Sequence, residues 1–81
     1  MERTLAALEP GESGAVREVA DAGPLGRRLL ELGLIPGVQV ECVGRAPLRD
    51  PSAYLVAGAV IALRRRDAAA VLLDGPAREA E

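Results

Sequence analysis

The sequence has 81 residues, 49% of them apolar, with ten basic side chains against twelve acidic, a net charge of −2 and an isoelectric point near 5.1. A chain of this size makes one small domain that buries roughly 60% of its unfolded surface; its acid excess disfavours generic nucleic-acid binding, and its single cysteine excludes an internal disulfide framework. No apolar run approaches the roughly 20 residues of a membrane-spanning helix and no leader with a cleavage site is visible, so a cytoplasmic, reducing setting is expected.

Thr4 to Leu8 is a short apolar start, closed by Glu9-Pro10-Gly11, where Pro followed by Gly marks a turn. Ser13 to Val19 reads as a strand, and the spacing of Val16 and Val19 breaks strict alternation, which predicts a bulge. Asp21-Ala22-Gly23-Pro24 opens a helix, because Gly serves as a cap and Pro suits the first helical position. Leu25, Leu29 and Leu32 at i, i+4 and i+7 form its apolar stripe and predict a helix over Pro24 to Leu32. Gly33 is placed as a left-handed residue after the last turn, Leu34 is expected to fold back onto that turn, and Pro36 forbids continuation. Leu30 and Leu34 lie off the main stripe, so they are either a second wall of the core or an exposed patch for a partner.

Val38, Val40 and Cys42 alternate with Gln39 and Glu41 as a second strand. Ala46 to Pro51 is a stiff loop with two prolines. Tyr54 and Val56 share one face of a third strand, Gly58-Ala59 is the expected turn, and Ile61 and Leu63 share one face of a fourth. Asp67 to Ala70 reads as one helical turn capped by Asp67, and Val71 to Leu73 as a last short strand. With one Tyr and no Phe or Trp, Val, Leu, Ile and Ala must fill the core. The pattern predicts a mainly β fold with short helices, a partly open barrel of about five strands with one inserted α-helix, over residues 1–74, followed by a frayed tail at 75–81.

Little in the chain is suited to catalysis or to a cofactor. Histidine, the commonest general base and metal ligand, is absent. Cys42 is in register with Val38 and Val40 and is read as a buried, inert thiol. Ser13 and Ser52 have no base in a recognisable motif. Glu9 with Glu12, or Asp50 with Asp67, lack the looped oxygen-ligand pattern of a Mg²⁺ or Ca²⁺ site, and Gly23-Pro24-Leu25-Gly26 lacks the Lys-Ser/Thr of a phosphate loop. No catalytic residue, cofactor or metal ligand is therefore expected. Arg64-Arg65-Arg66 has two readings, a solvated strand end with alternate heads in water or a docking patch for an acidic partner or phospholipid headgroups.

Four segments in order resemble one known family. They are Gly11-Glu12; Arg28-Leu29-x-x-Leu32-Gly33-Leu34-x-Pro36-Gly37; Ala46-Pro47-Leu48-x-Asp50-Pro51; and Gly58-x-x-x-Ala62-Leu63-Arg64 with Asp67-Ala68. Together they are similar to FeoA, the small cytoplasmic accessory protein of bacterial ferrous-iron uptake, over about Leu5 to Leu73. The resemblance implies an SH3-like barrel with an inserted helix. It also implies a non-enzymatic adaptor of FeoB, the membrane Fe²⁺ transporter with a cytoplasmic G-protein domain. Arg49 stands where the family usually has Gly, and Ala57 and Ala59 are smaller than its usual residues. A similar domain closes some metal-dependent repressors, which leaves a transition-metal sensor or carrier as the alternative; one thiol and no histidine count against tight binding of such ions. The expected partner surface comprises Arg27, Arg28, Leu29, Leu30, Leu34, Leu48 and Arg49, with weak self-association and no nucleic acid.

Overall fold

The computed structural model describes residues 3–74. Six strands carry the fold: β1 (Arg3–Thr4), β2 (Ser13–Val19), β3 (Gln39–Arg45), β4 (Ser52–Val56), β5 (Ala59–Leu63) and β6 (Val71–Leu73). Two helices interrupt them, α1 (Pro24–Glu31) and α2 (Arg65–Ala68), and a single 3₁₀ turn (Leu5–Ala7) follows β1. The strands form one antiparallel sheet in the order β1-β6-β2-β3-β4-β5. The sixth strand, absent from the sequence-based expectation, is the two-residue β1 paired with β6.

The sheet curls because β2 changes partners along its length. Ser13 to Ala15 pair with β3, and Val16 to Val19 pair with β6. The expected bulge is there, between Val16 and Glu18; an extra residue sharpens the local twist and bends the strand. A second bulge lies between Cys42 and Gly44 of β3. The concave face collects Leu5, Leu8, Val16, Val40, Tyr54, Val56, Val71 and Leu73, each no more than 1% exposed. Alternation is clean on β4, where Ser52, Tyr54 and Val56 point in. Cys42 is fully buried, as its register requires, and its thiol donates to the Gly44 carbonyl at 3.6 Å.

The turns follow local chemistry. Glu12 N–H bonds the Glu9 carbonyl at 2.9 Å across Pro10-Gly11, with Gly11 at φ +96°, the left-handed position that a turn of this type reserves for Gly. The β4–β5 hairpin turns one residue earlier than expected. Val56 pairs with Ala59, so Ala57 and Gly58 are the loop, and both have positive φ (50° and 86°), the requirement of a two-residue hairpin that matches strand twist.

Candidate protein-docking site

The helix α1 is set at both ends by short-range interactions. At its start Gly23 is the cap and Pro24 the first helical residue. The Asp21 carboxylate accepts from Gly23 N–H at 2.7 Å and from Gly26 N–H at 3.2 Å, satisfying two amide groups that a helix start leaves open. The chain folds back so tightly that a Cβ on Gly26 would fall 1.8 Å from the Asp21 carbonyl oxygen. At its end Gly33 takes φ +103°, its N–H bonds the Leu30 carbonyl at 3.0 Å, and Leu34 N–H bonds the Leu29 carbonyl at 3.2 Å. This paired closure is the Schellman arrangement that the Gly33 position predicts.

That closure decides which leucines reach solvent. The helix buries Gly26 and Leu29, and the fold-back carries Leu34 to full burial. Leu29 and Leu34 therefore belong to the core and offer no surface to a partner, which corrects their inclusion in the expected contact set. Leu30 stays 43% exposed, and so do Leu32 and Ile35 in part. Leu32, expected on the buried stripe, caps the helix at its end and turns toward water. Ile35 carries no periodic signal because it lies past the last turn, outside the helical repeat. Arg27 and Arg28 are both exposed on α1.

The Ala46 to Pro51 loop is a second candidate for partner contact. Arg49 N–H bonds the Ala46 carbonyl at 2.7 Å, and Ala46 N–H bonds the Pro51 carbonyl at 3.0 Å. The Asp50–Pro51 peptide is cis, and Arg49 adopts φ 69°, a left-handed conformation that favours Gly. Leu48 sits at the tip with 89% of its surface in water. Arg45, a residue that no sequence motif singled out, fastens the loop's base. Its Nε donates to Ser52 Oγ at 2.9 Å, one Nη to Glu9 Oε1 at 3.2 Å, and the other Nη to the Leu8 carbonyl. The second oxygen of Glu9 lies 3.5 Å from Arg49. Leu48 is thus an apolar tip on a tied loop.

Behind the loop, burial pushes the Tyr54 phenol above its ordinary pKa; a hydrogen bond with Ser52 and the Arg45 charge pull the other way without cancelling it. The Asp50 carboxylate accepts from Arg65 N–H at 2.8 Å. The loop therefore caps α2, a task expected of Asp67, and α2 starts two residues earlier than expected, with Arg65 and Arg66 in a helix rather than at a strand end. Among the described residues no group of three or more Cys, Asp or Glu is arranged to hold a metal ion, and no helix is long and apolar enough to cross a membrane.

The FeoA domain model matches residues 3–74. The Fe(2+) transport protein A/Fe(2+) transporter FeoB fusion protein of Porphyromonas gingivalis is 36% identical over 67 residues, covering 83% of this chain. The match spans only 8% of that relative's own length. The crystal structure of Stenotrophomonas maltophilia FeoA complexed with zinc, a prokaryotic SH3 domain protein, is 33% identical with a TM-score of 0.80, covering 89% of each chain. An FeoA-like protein from Clostridium acetobutylicum gives a TM-score of 0.86 at 21% identity over 99% of this chain and 93% of its own. A manganese-dependent transcriptional repressor shares the fold over 89% of this chain and 40% of its own, with a TM-score of 0.77 at 22% identity.

Proposed function

We propose that this chain, which belongs to the FeoA domain family and has its SH3-like fold, is a non-enzymatic accessory protein of ferrous-iron uptake that works by contact with an FeoB-type membrane transporter. One observation carries the reading: the Porphyromonas gingivalis relative joins Fe(2+) transport protein A and the transporter FeoB in a single polypeptide. Fusion of two partners raises the effective concentration of one at the other, a gain that only matters if they touch.

In this reading the chain is cytoplasmic and docks on the transporter's G-protein domain through Leu30, Ile35 and Leu48, with Arg27, Arg28 and Arg49 orienting an acidic partner. Leu48 is the anchor. Its loop is held by hydrogen bonds at its base and by the Arg45–Glu9–Arg49 contacts, so little conformational entropy is lost when it docks. Self-association in this reading is weak.

The test is capture of a detergent-solubilised FeoB-type transporter by immobilised protein, with and without guanine nucleotide. Wild type is expected to retain the transporter. Leu30→Asn and Leu48→Asn are expected to remain folded by circular dichroism and to retain less. Folded variants that capture as much as wild type would remove this surface, and failure of wild type to capture any would remove the reading.

The Stenotrophomonas maltophilia relative, complexed with zinc, is the observation that favours a second reading, a transition-metal sensor or carrier. The buried thiol and scattered carboxylates among the described residues supply no closed ligand set for it. Anaerobic calorimetry with Zn²⁺ or Fe²⁺ decides between the two, since a stoichiometric submicromolar site would promote the metal reading.

A further inference from the structure

The Arg64-Arg65-Arg66 run is left unused by the apolar surface above. Arg64 precedes α2, and Arg65 and Arg66 form its first turn. All three are exposed, as are Arg27 and Arg28 on α1, and none of the five forms an ion pair among the described residues. In a chain of net charge −2, that is a local concentration of positive charge on two neighbouring helices.

Two shallow depressions mark the surface beside these arginines. One depression of about 570 Å³ is lined by Pro24, Leu25, Arg28, Arg66 and Asp67. A second, also about 570 Å³, is lined by Asp50, Arg64, Arg65, Arg66 and Ala69. Arg66 stands in the wall of both, so the two adjoin at that residue. Their walls hold four guanidinium groups against two carboxylates, and one of those, Asp50, is already engaged by Arg65 N–H at 2.8 Å. Each depression also has an apolar portion, Pro24 and Leu25 in one and Ala69 in the other.

We propose that these adjoining depressions bind an acidic peptide segment, with Arg28 and Arg66 taking carboxylates in one and Arg64 and Arg65 in the other. Guanidinium groups suit the role because their planar fork matches a carboxylate with two parallel hydrogen bonds. Asp50 and Asp67 interrupt the basic walls, so separate carboxylates along a single chain fit the four guanidinium groups better than a continuous anionic bilayer, which would meet both aspartates as well. The lone aromatic residue, Tyr54, is buried in the core, which leaves no stacking platform for a single-stranded nucleic acid. The site shares Arg28 with the docking surface and borders the Leu48 loop at Asp50, and the inference stands whichever protein carries the segment.

The experiment is an amide NMR titration of the full chain with hexaglutamate, repeated with inorganic phosphate, and a sedimentation assay with vesicles of phosphatidylcholine and phosphatidylglycerol. Hexaglutamate is expected to shift Leu25, Arg28, Arg64, Arg65, Arg66 and Ala69 selectively. Its affinity is expected to fall steeply between about 0.02 M and about 0.3 M salt, since screening shortens the reach of exposed charges. Arg66→Gln is expected to weaken binding about tenfold, while Arg17→Gln, a loss of the same charge outside both depressions, changes it about twofold or less. The side chain of Arg66 is exposed, so the variant's remaining spectrum verifies its fold; Arg28→Gln makes the same test if that spectrum collapses. Shifts spread over the whole surface, equal effects of Arg66→Gln and Arg17→Gln, or phosphate matching the peptide in pattern and affinity would overturn the proposal. So would vesicle binding by a protein whose spectrum the peptide leaves unchanged.

Discussion

The Arg45 guanidinium donates to the Glu9 carboxylate at 3.2 Å, across 36 positions of sequence. The contact joins the N-terminal turn to the base of the Leu48 loop, and the same carboxylate continues to Arg49 at 3.5 Å. Only 9% of the Arg45 side chain is exposed, against 58% for Glu9. The two ends of this pair are therefore unequal in what their loss should cost.

Arg45→Ala strips hydrogen bonds from the Leu8 carbonyl and the buried Ser52 hydroxyl as well as from Glu9. Leaving buried acceptors unpaired costs about 1–3 kcal/mol each, so a loss of about 2–4 kcal/mol is expected in urea unfolding. Arg45→Lys restores only part, because an ammonium cannot span three acceptors as a planar fork does. Glu9→Gln is expected to cost about 1 kcal/mol or less, as an exposed partner in high dielectric contributes little. Equal costs for Arg45→Ala and Glu9→Gln would show that the ion pair, rather than the buried hydrogen bonds, fastens the loop.

Leu29→Ala and Leu32→Ala separate core from surface on the same helix. Leu29 is 1% exposed and Leu32 37%. Truncating the first is expected to cost about 2–5 kcal/mol and the second about 1 kcal/mol or less, as only a buried leucine leaves a cavity. Paired urea melts check this, and similar losses would place Leu32 in the core as its periodicity suggests.

Gly26→Ala tests the helix entrance. Alanine is the better helix former by about 1 kcal/mol, yet its Cβ would meet the Asp21 carbonyl at 1.8 Å. The clash is with backbone, which has no rotamer to change, and a net loss of about 2 kcal/mol or more is expected. Asp21→Ala, which removes acceptors from Gly23 and Gly26, is expected to cost about 1 kcal/mol. A thermal melt showing Gly26→Ala to be stabilised would mean that the entrance loop gives way freely.

Tyr54 makes stability depend on alkaline pH. Its phenol pKa is raised from 10.0, chiefly by burial, so the folded state holds this proton more tightly than the unfolded chain does. Stability from this group is complete below 10.0 and is lost as pH rises through the folded-state pKa. Tyr54→Phe is expected to flatten that decline in urea melts above pH 10.0. As the chain's only tyrosine, Tyr54 can also be titrated directly by ultraviolet absorbance, and a midpoint at or below 10.0 would contradict its burial.

What the sequence determined by itself was local. Pro10-Gly11, the Gly33 stop with the fold-back of Leu34, the break in β2 and the alternation of β4 each depend on residues a few positions apart, and each was readable before any fold was known. The mainly β architecture follows from those pieces in order. Tertiary structure decided which of several locally adequate residues was used. Asp67 is a suitable cap for α2, but Asp50 arrives from the loop and takes the earlier Arg65 N–H. Gly58 suits either of two turns, and the pairing of Val56 with Ala59 selects the one that places Ala57 at φ 50°. Leu30 and Leu34 are alike by composition and by distance from the apolar stripe. The backbone reversal at Gly33 turns Leu34 into the core and leaves Leu30 at the surface, since burial depends on where the rest of the chain has packed. Arg45 had no sequence signal at all, because its three acceptors come together only when the N-terminal turn closes over β3 and β4.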